Sequence, residues 1–117
     1  MIYYKGECIT QVRSLKEVSD FINALPPEDG AVCRHFIRLL IIHGWRLKYP
    51  LSEHVEGVYV LRPSGKGGEY RLFYGFIKGV AYIVHSIHKK TQKLNRKDIQ
   101  MAKARLDAVQ RGTYLVC

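Results

Sequence analysis

Apolar positions in this chain repeat first at helical spacing, then at strand spacing, then at helical spacing again. Residues 1–9 carry Ile2, Tyr3, Tyr4 and Ile9, which suits a short strand. Leu15, Val18, Phe21, Ile22 and Leu25 then recur every three or four residues, the signature of one buried helix face. Ser14 followed by Glu17 forms a capping-box pattern at its start. Pro26 and Pro27 end it. Glu28 and Asp29 suit the first turn of a second helix, and Gly44 its stop. Trp45 and Leu47 are expected to continue into the core.

The pattern changes after residue 57. Runs at 58–62, 70–77 and 80–87 predict three strands. The stretch 63–68 holds three glycines and a lysine and reads as a mobile hairpin tip. Lys78-Gly79 reads as a two-residue turn that fixes the next hairpin's register. Asn95 and Asp98 suit the cap of a last helix with the apolar face Ile99, Ala102, Leu106 and Val109. The tail 113–117 has no assignable element. The expected order is β-α-α-β-β-β-α. That predicts an α+β fold, an antiparallel sheet with helices packed on one face, within one domain spanning 1–117. The other face of the sheet is then free to bind.

Alternation decides which side chains share that free face. Val58, Val60 and Arg62 oppose Tyr59 and Leu61; Glu69, Arg71 and Phe73 oppose Tyr70, Leu72, Tyr74 and Phe76. In the third strand Tyr82, Val84, Ser86, His88 and Lys90 oppose Ala81, Ile83, His85 and Ile87. With the apolar sets turned to the helices, Arg62, Arg71, His88 and Lys90 are candidates for one solvent-open cleft. Tyr74 falls on the apolar side unless a bulge re-aims it.

Charge sharpens the picture. The chain has 117 residues, 47% of them hydrophobic, and a formal net charge of +9, concentrated in its second half. An anionic partner is expected: nucleic acid, a membrane surface or an acidic protein. Cys8, Cys33 and Cys117 are too scattered for a disulfide framework or a zinc site. No apolar run is long enough to span a bilayer, and the N-terminus lacks a signal-peptide layout. A cytoplasmic protein with no membrane partner is expected.

The candidate cleft suits a phosphodiester. RNA cleavage by an internal 2′-hydroxyl needs a base, an acid and cations around the phosphorane. Two arginines and a lysine supply cations, and His88 can act as acid or base. No metal or other cofactor is needed. Lys66, Lys89 and Lys93 are candidates to track a nucleic-acid backbone. His85-x-x-His88 is not a metal pair, because residues three apart on a strand point to opposite faces. Ser64–Gly68 lacks the ending of a P-loop. Solvated strand arginines are the plain alternative to a cleft.

The run GVYVLRP, then EYRLFYGF, then AYIVHSIHKKTQK, with Asp98-Ile99-Gln100-Met101-Ala102 after it, resembles the RelE/ParE superfamily of type II toxin–antitoxin toxins. The similarity is to its phage-derived, HigB-like branch and spans roughly residues 14–105. The resemblance implies a compact toxin with a microbial-ribonuclease-like sheet that cuts messenger RNA on the ribosome without metal. It puts Arg71 at the catalytic arginine, Lys90 at a second basic position and His88 near a catalytic histidine; Arg62 matches the arginine of an LR motif. Val58 and Val60 stand where RelE has lysines, and Val60 also replaces the branch's glutamate. The resemblance further implies a cognate antitoxin of helix-turn-helix type, ribosome and mRNA as targets, and operator DNA reached through the antitoxin. Two other readings stay open: a ParE-like inhibitor that binds DNA gyrase, and a degenerate toxin kept as the antitoxin's regulatory partner.

Overall fold

A computed structural model describes residues 2–4, 7–90 and 93–112, with side-chain environments from residue 9 onward. Residues 1, 5, 6, 91, 92 and the tail 113–117 lie outside the described residues. So do part of the expected first strand and Thr91-Gln92 of the basic run.

The strands are β1 (Ile2–Tyr4), β2 (Glu7–Ile9), β3 (Gln11–Ser14), β4 (Ser52–Val55), β5 (Val58–Leu61), β6 (Ser64–Gly65), β7 (Gly68–Ile77) and β8 (Val80–Lys89). The helices are α1 (Lys16–Ala24), α2 (Pro27–His43) and α3 (Arg96–Gln110). β1 and β2 pair as a small antiparallel ribbon. The main sheet runs β3-β8-β7-β5-β4, with β6 added to β7.

The fold is α+β, as the periodicity predicts, and β5, β7 and β8 match the three expected runs. The sheet, however, is mixed rather than antiparallel. β3 lies parallel to β8, Gln11 opposite Val80 and Ser14 opposite Ile83. Ser14 therefore ends a strand and does not cap α1; Leu15 occupies the cap position with no side-chain bond. The Lys78-Gly79 turn is as expected: both residues have positive φ, 51° and 81°, which suits the twist of a tight hairpin. Asn95 caps α3, its Oδ1 accepting from the Lys97 N–H at 2.8 Å.

The helices are not on one face. Val18 and Ile22 of α1 and Cys33 and Leu40 of α2 pack with Leu61, Tyr70, Leu72, Tyr74, Ala81 and Ile83. Ile99 and Ala102 of α3 pack on the opposite side with Val58, Val60, Phe73 and Val84. The apolar Val58/Val60/Phe73 stripe explains the difference. Its burial requires a second cover, and α3 is the amphipathic helix left to supply it. Only the end of this face beyond His85 is left for other work.

A bulge decides what stands at that end. Phe73 pairs with His85 and Tyr74 with Ile83, so Val84 is an extra residue in β8. Such an insertion lets neighbours share a face and shifts all later parity. Val84 packs under α3, and His85 beside it bonds Asp98 of α3 at 2.8 Å. Arg105 of α3 donates to the Val84 carbonyl at 2.9 Å, using an acceptor in the interrupted ladder.

Candidate functional site

Beyond the bulge, Glu69 pairs with Lys89, Tyr70 with His88 and Arg71 with Ile87. Directly opposed residues share a face. Glu69, Arg71, Ile87 and Lys89 thus lie on the α3 side, and Tyr70 and His88 on the side of α1 and α2. Arg62 joins the first group. Leu61 pairs with Leu72, and the Tyr70 N–H reaches the Pro63 carbonyl at 2.9 Å, so the register carries Arg62 to Arg71.

The expected cleft is therefore divided. Arg62 and Arg71 stay together, with Lys89 beside them. His88 is on the reverse face, stacked on Tyr70 with ring centroids 5.0 Å apart. Lys90 follows the last residue of β8 and is exposed. Lys66 is elsewhere, its Nζ 3.2 Å from Glu28 at the start of α2. Lys93 is exposed in the connection to α3. The i, i+3 histidines do point apart, and Tyr74 is buried on the apolar side as parity predicts.

Arg71 is not solvent-open. It is 1% exposed and stands among the largest fully buried side chains of the described residues. Its guanidinium folds back along its own strand: Nη1 donates to the Tyr70 carbonyl at 2.7 Å and Nη2 to Glu69 Oε1 at 3.0 Å. Arg62 donates from Nη1 to the Pro50 carbonyl at 2.9 Å. Its guanidinium lies 4.5 Å from the Tyr49 ring centroid, within cation–π range. Glu53 Oε1 is 3.8 Å from its Nε, too far for a hydrogen bond.

One property sets the two arginines apart from the other described side chains. The Nε atoms of Arg62 and Arg71 are both buried and both lack a hydrogen-bond partner. A buried donor without a protein partner carries a desolvation penalty, which a water, an ion or a ligand oxygen would relieve. The field around them is cationic. Glu69 is held below the ordinary glutamate value of 4.5, first by the Arg71 hydrogen bond and charge, then by Lys89 and Arg62. Three cations face two carboxylates, Glu53 and Glu69, leaving an excess of positive charge. Glu69 had no role in the sequence reading, although the Glu69-x-Arg71 spacing already placed both on one face.

On the reverse face stands a second polar cluster that the sequence reading missed. Asp29, 1% exposed, accepts from the Lys66 N–H at 3.1 Å, the Gly67 N–H at 2.9 Å and the Tyr70 hydroxyl. The 63–68 stretch is thus tied to α2 rather than being a loose tip. Gly65 and Gly67 permit it, since a Cβ at either would collide with the Asp29 carboxylate. The three donors hold Asp29 below its ordinary value of 3.8, and the same bond pushes Tyr70 up to about 12.

Cys33 is buried and free, and burial pushes its thiol up to about 11, an inert environment. Among the described residues no group of three His, Cys, Asp or Glu side chains is placed to hold a metal ion. No helix among them is long and apolar enough to cross a membrane.

Residues 20–107 match the model of a family described as phage derived protein Gp49-like. No curated protein matches the chain. The family match takes in well over half of the 117 residues, including both arginines, Glu69 and the whole of β7 and β8. The chain belongs to this Gp49-like family, which is RelE/ParE-like and associated with toxin–antitoxin systems; the family implies an antitoxin partner.

Proposed function

We propose that this Gp49-like protein is the toxin of a toxin–antitoxin pair and that it cleaves messenger RNA on the ribosome through the 2′-hydroxyl. The observation that carries the reading is the pair of buried, unpartnered Nε donors on Arg62 and Arg71, set in a cationic end of the sheet. A phosphodiester oxygen is the acceptor that such donors match.

The chemistry follows from the side chains at that end. The 2′-oxygen attacks the adjacent phosphorus, the bond to the 5′-oxygen breaks, and a 2′,3′-cyclic phosphate and a 5′-hydroxyl result. Arg62, the more exposed of the two, meets the non-bridging oxygens first; Arg71 joins it once its guanidinium turns out from the Tyr70 carbonyl, and the pair stabilises the added negative charge of the phosphorane. Glu69, the carboxylate bonded to Arg71, takes the 2′-hydroxyl proton. Lys89, its cross-strand partner, gives a proton to the leaving 5′-oxygen. Lys66, Lys93 and Lys90 contribute long-range attraction for RNA. His88 is assigned no proton transfer, because it faces away from Arg71.

A second reading has its own support. The Arg71 Nη atoms are already occupied by Glu69 and the Tyr70 carbonyl, as in a residue that shapes a binding surface. A non-catalytic inhibitor of DNA gyrase would use it so.

Mapping of mRNA 5′ ends after brief induction separates these readings, with wild type beside Arg71→Gln. Cuts inside translated codons, absent in the variant, are the expected result. Growth arrest with intact mRNA and damaged DNA would move the assignment to gyrase.

A further inference from the structure

At the other end of the sheet the molecule carries a groove of about 670 Å³. One wall is the end of α2 with Ile42 and the turn after it with Trp45 and Arg46; the other is Ile9 and the β7–β8 turn with Lys78. Three of the molecule's exposed large hydrophobic residues line it: Trp45 at 68%, Ile42 at 54% and Ile9 at 39%. Position in the chain predicts that Trp45 continues into the core. Instead the short 3-10 turn Gly44–Arg46 throws it outward, while Leu47 turns in, 7% exposed. Isolated exposed apolar residues need no explanation; here three share one concavity.

The groove is preformed. The Thr10 N–H bonds the Ile41 carbonyl at 2.9 Å and locks its two walls together. Gly44 has φ of +56°, and a Cβ there would collide with the Thr10 side chain, so the α2 end sits hard against the strand. A rigid groove spares an occupant the cost of ordering it. Its rim has a sign. The charged residues among its described lining are Arg46 and Lys78, with His43 between them and no carboxylate. The carbonyl end of α2 offsets roughly half a charge, leaving the rim positive. Arg46 also sits 5.6 Å from the Trp45 ring centroid, holding cation and apolar surface together.

We propose that this groove docks an acidic segment of a protein partner, with apolar anchors on Ile9, Ile42 and Trp45 and carboxylates facing Arg46 and Lys78. Nucleic acid fits less well: a base could stack on Trp45, but Ile9 and Ile42 would gain no aliphatic partner. The groove is far from the arginine cleft. At ~3.3 Å per residue, Arg71 and Ile77, the residue before Lys78, are about 20 Å apart along β7. A segment bound here leaves that cleft uncovered, and its binding is independent of any cleavage.

Trp45 is the chain's one tryptophan, so its emission reports on the groove directly. The test titrates full-length protein with two short peptides of identical leucine pattern, one with glutamate and one with lysine at every polar position. A saturable blue shift with the glutamate peptide alone is expected. The Arg46→Glu/Lys78→Glu double variant is expected to weaken it about tenfold or more, and Arg71→Gln to leave it unchanged. Ile42→Asp, with unchanged circular dichroism, is expected to weaken it too. No saturable shift with the glutamate peptide, or equal shifts with both peptides, would overturn the proposal. So would a single-stranded RNA oligonucleotide that shifts Trp45 at equal concentration, which would make the groove a nucleic-acid surface. None of these outcomes alters the mRNA mapping above.

Discussion

Tyr70 and Arg71 are neighbours in the chain and opposites in the structure. Both are nearly inaccessible, at 2% and 1% exposure. Tyr70, facing α2, gives its hydroxyl to Asp29, whose carboxylate is filled by two further backbone donors. Arg71, facing the α3 side, keeps a buried Nε with no partner, and so does Arg62 next to it. A fully satisfied polar cluster rigidifies a fold, whereas buried donors without protein partners carry a desolvation cost that a water, an ion or a ligand would relieve. The first cluster fastens the 63–68 connection to a helix. The second is where the proposed cleavage would place the phosphate.

Changes on each side of β7 sharpen this contrast. The largest expected effect is on Arg71→Gln, which removes the cation but keeps polar atoms in the buried space. Cleavage is expected to fall by about two to three orders of magnitude, the scale for loss of a transition-state donor, with folding retained by circular dichroism. Full cleavage by a folded variant would remove Arg71 from the site.

Leu61→Ala probes the other face. Leu61 is fully buried beneath α1 and α2, so truncation is expected to cost about 2–5 kcal/mol of stability. An unchanged denaturation curve would show that the face assignment of β5 is wrong, and with it the placing of Arg62 beside Arg71.

Asp29→Asn is expected to act on acid stability. The Asp29 carboxyl is more acidic folded than unfolded. Its contribution is therefore present above the ordinary 3.8 and is lost as pH falls through the lower folded value. The wild type should lose stability as pH falls below about 4. The asparagine variant should start lower at neutral pH and show a flatter acid limb, with faster amide exchange at Lys66 and Gly67. Parallel acid curves for the two proteins would mean that Asp29 does not hold the connection.

The smallest effect is expected at His88. It stacks on Tyr70 on the reverse face, so His88→Ala should leave cleavage within a few-fold of wild type. The pH–rate profile gives the same answer independently. A Glu69 base, held below 4.5, stays ionised down to mildly acidic pH, whereas a histidine base would put an acid limb near neutrality. Loss of cleavage in the alanine variant together with such a limb would return His88 to the site.

Periodicity alone determined much of this protein. The three helices, strands β5, β7 and β8 and the Lys78-Gly79 turn all follow from local spacing, because backbone geometry imposes periods of 3.6 and 2 on whatever is buried. The same rule put Arg62 and Arg71 on one face correctly, since nothing interrupts β5 or β7 there. Alternation failed in β8, where Val84 is inserted opposite Phe73. A bulge is a property of two strands and the helix across them, and one strand's pattern does not contain it. Other features also rest on distant partners. β3 was invisible because its partner in the parallel pair is β8, two helices and four strands later in the chain. Asp29 read as a helix-dipole residue because the donors that bury it come from Lys66, Gly67 and Tyr70. Whether α3 covers the first face or the second depended on which stripe remained bare after α1 and α2 had packed, and only the folded sheet decides that.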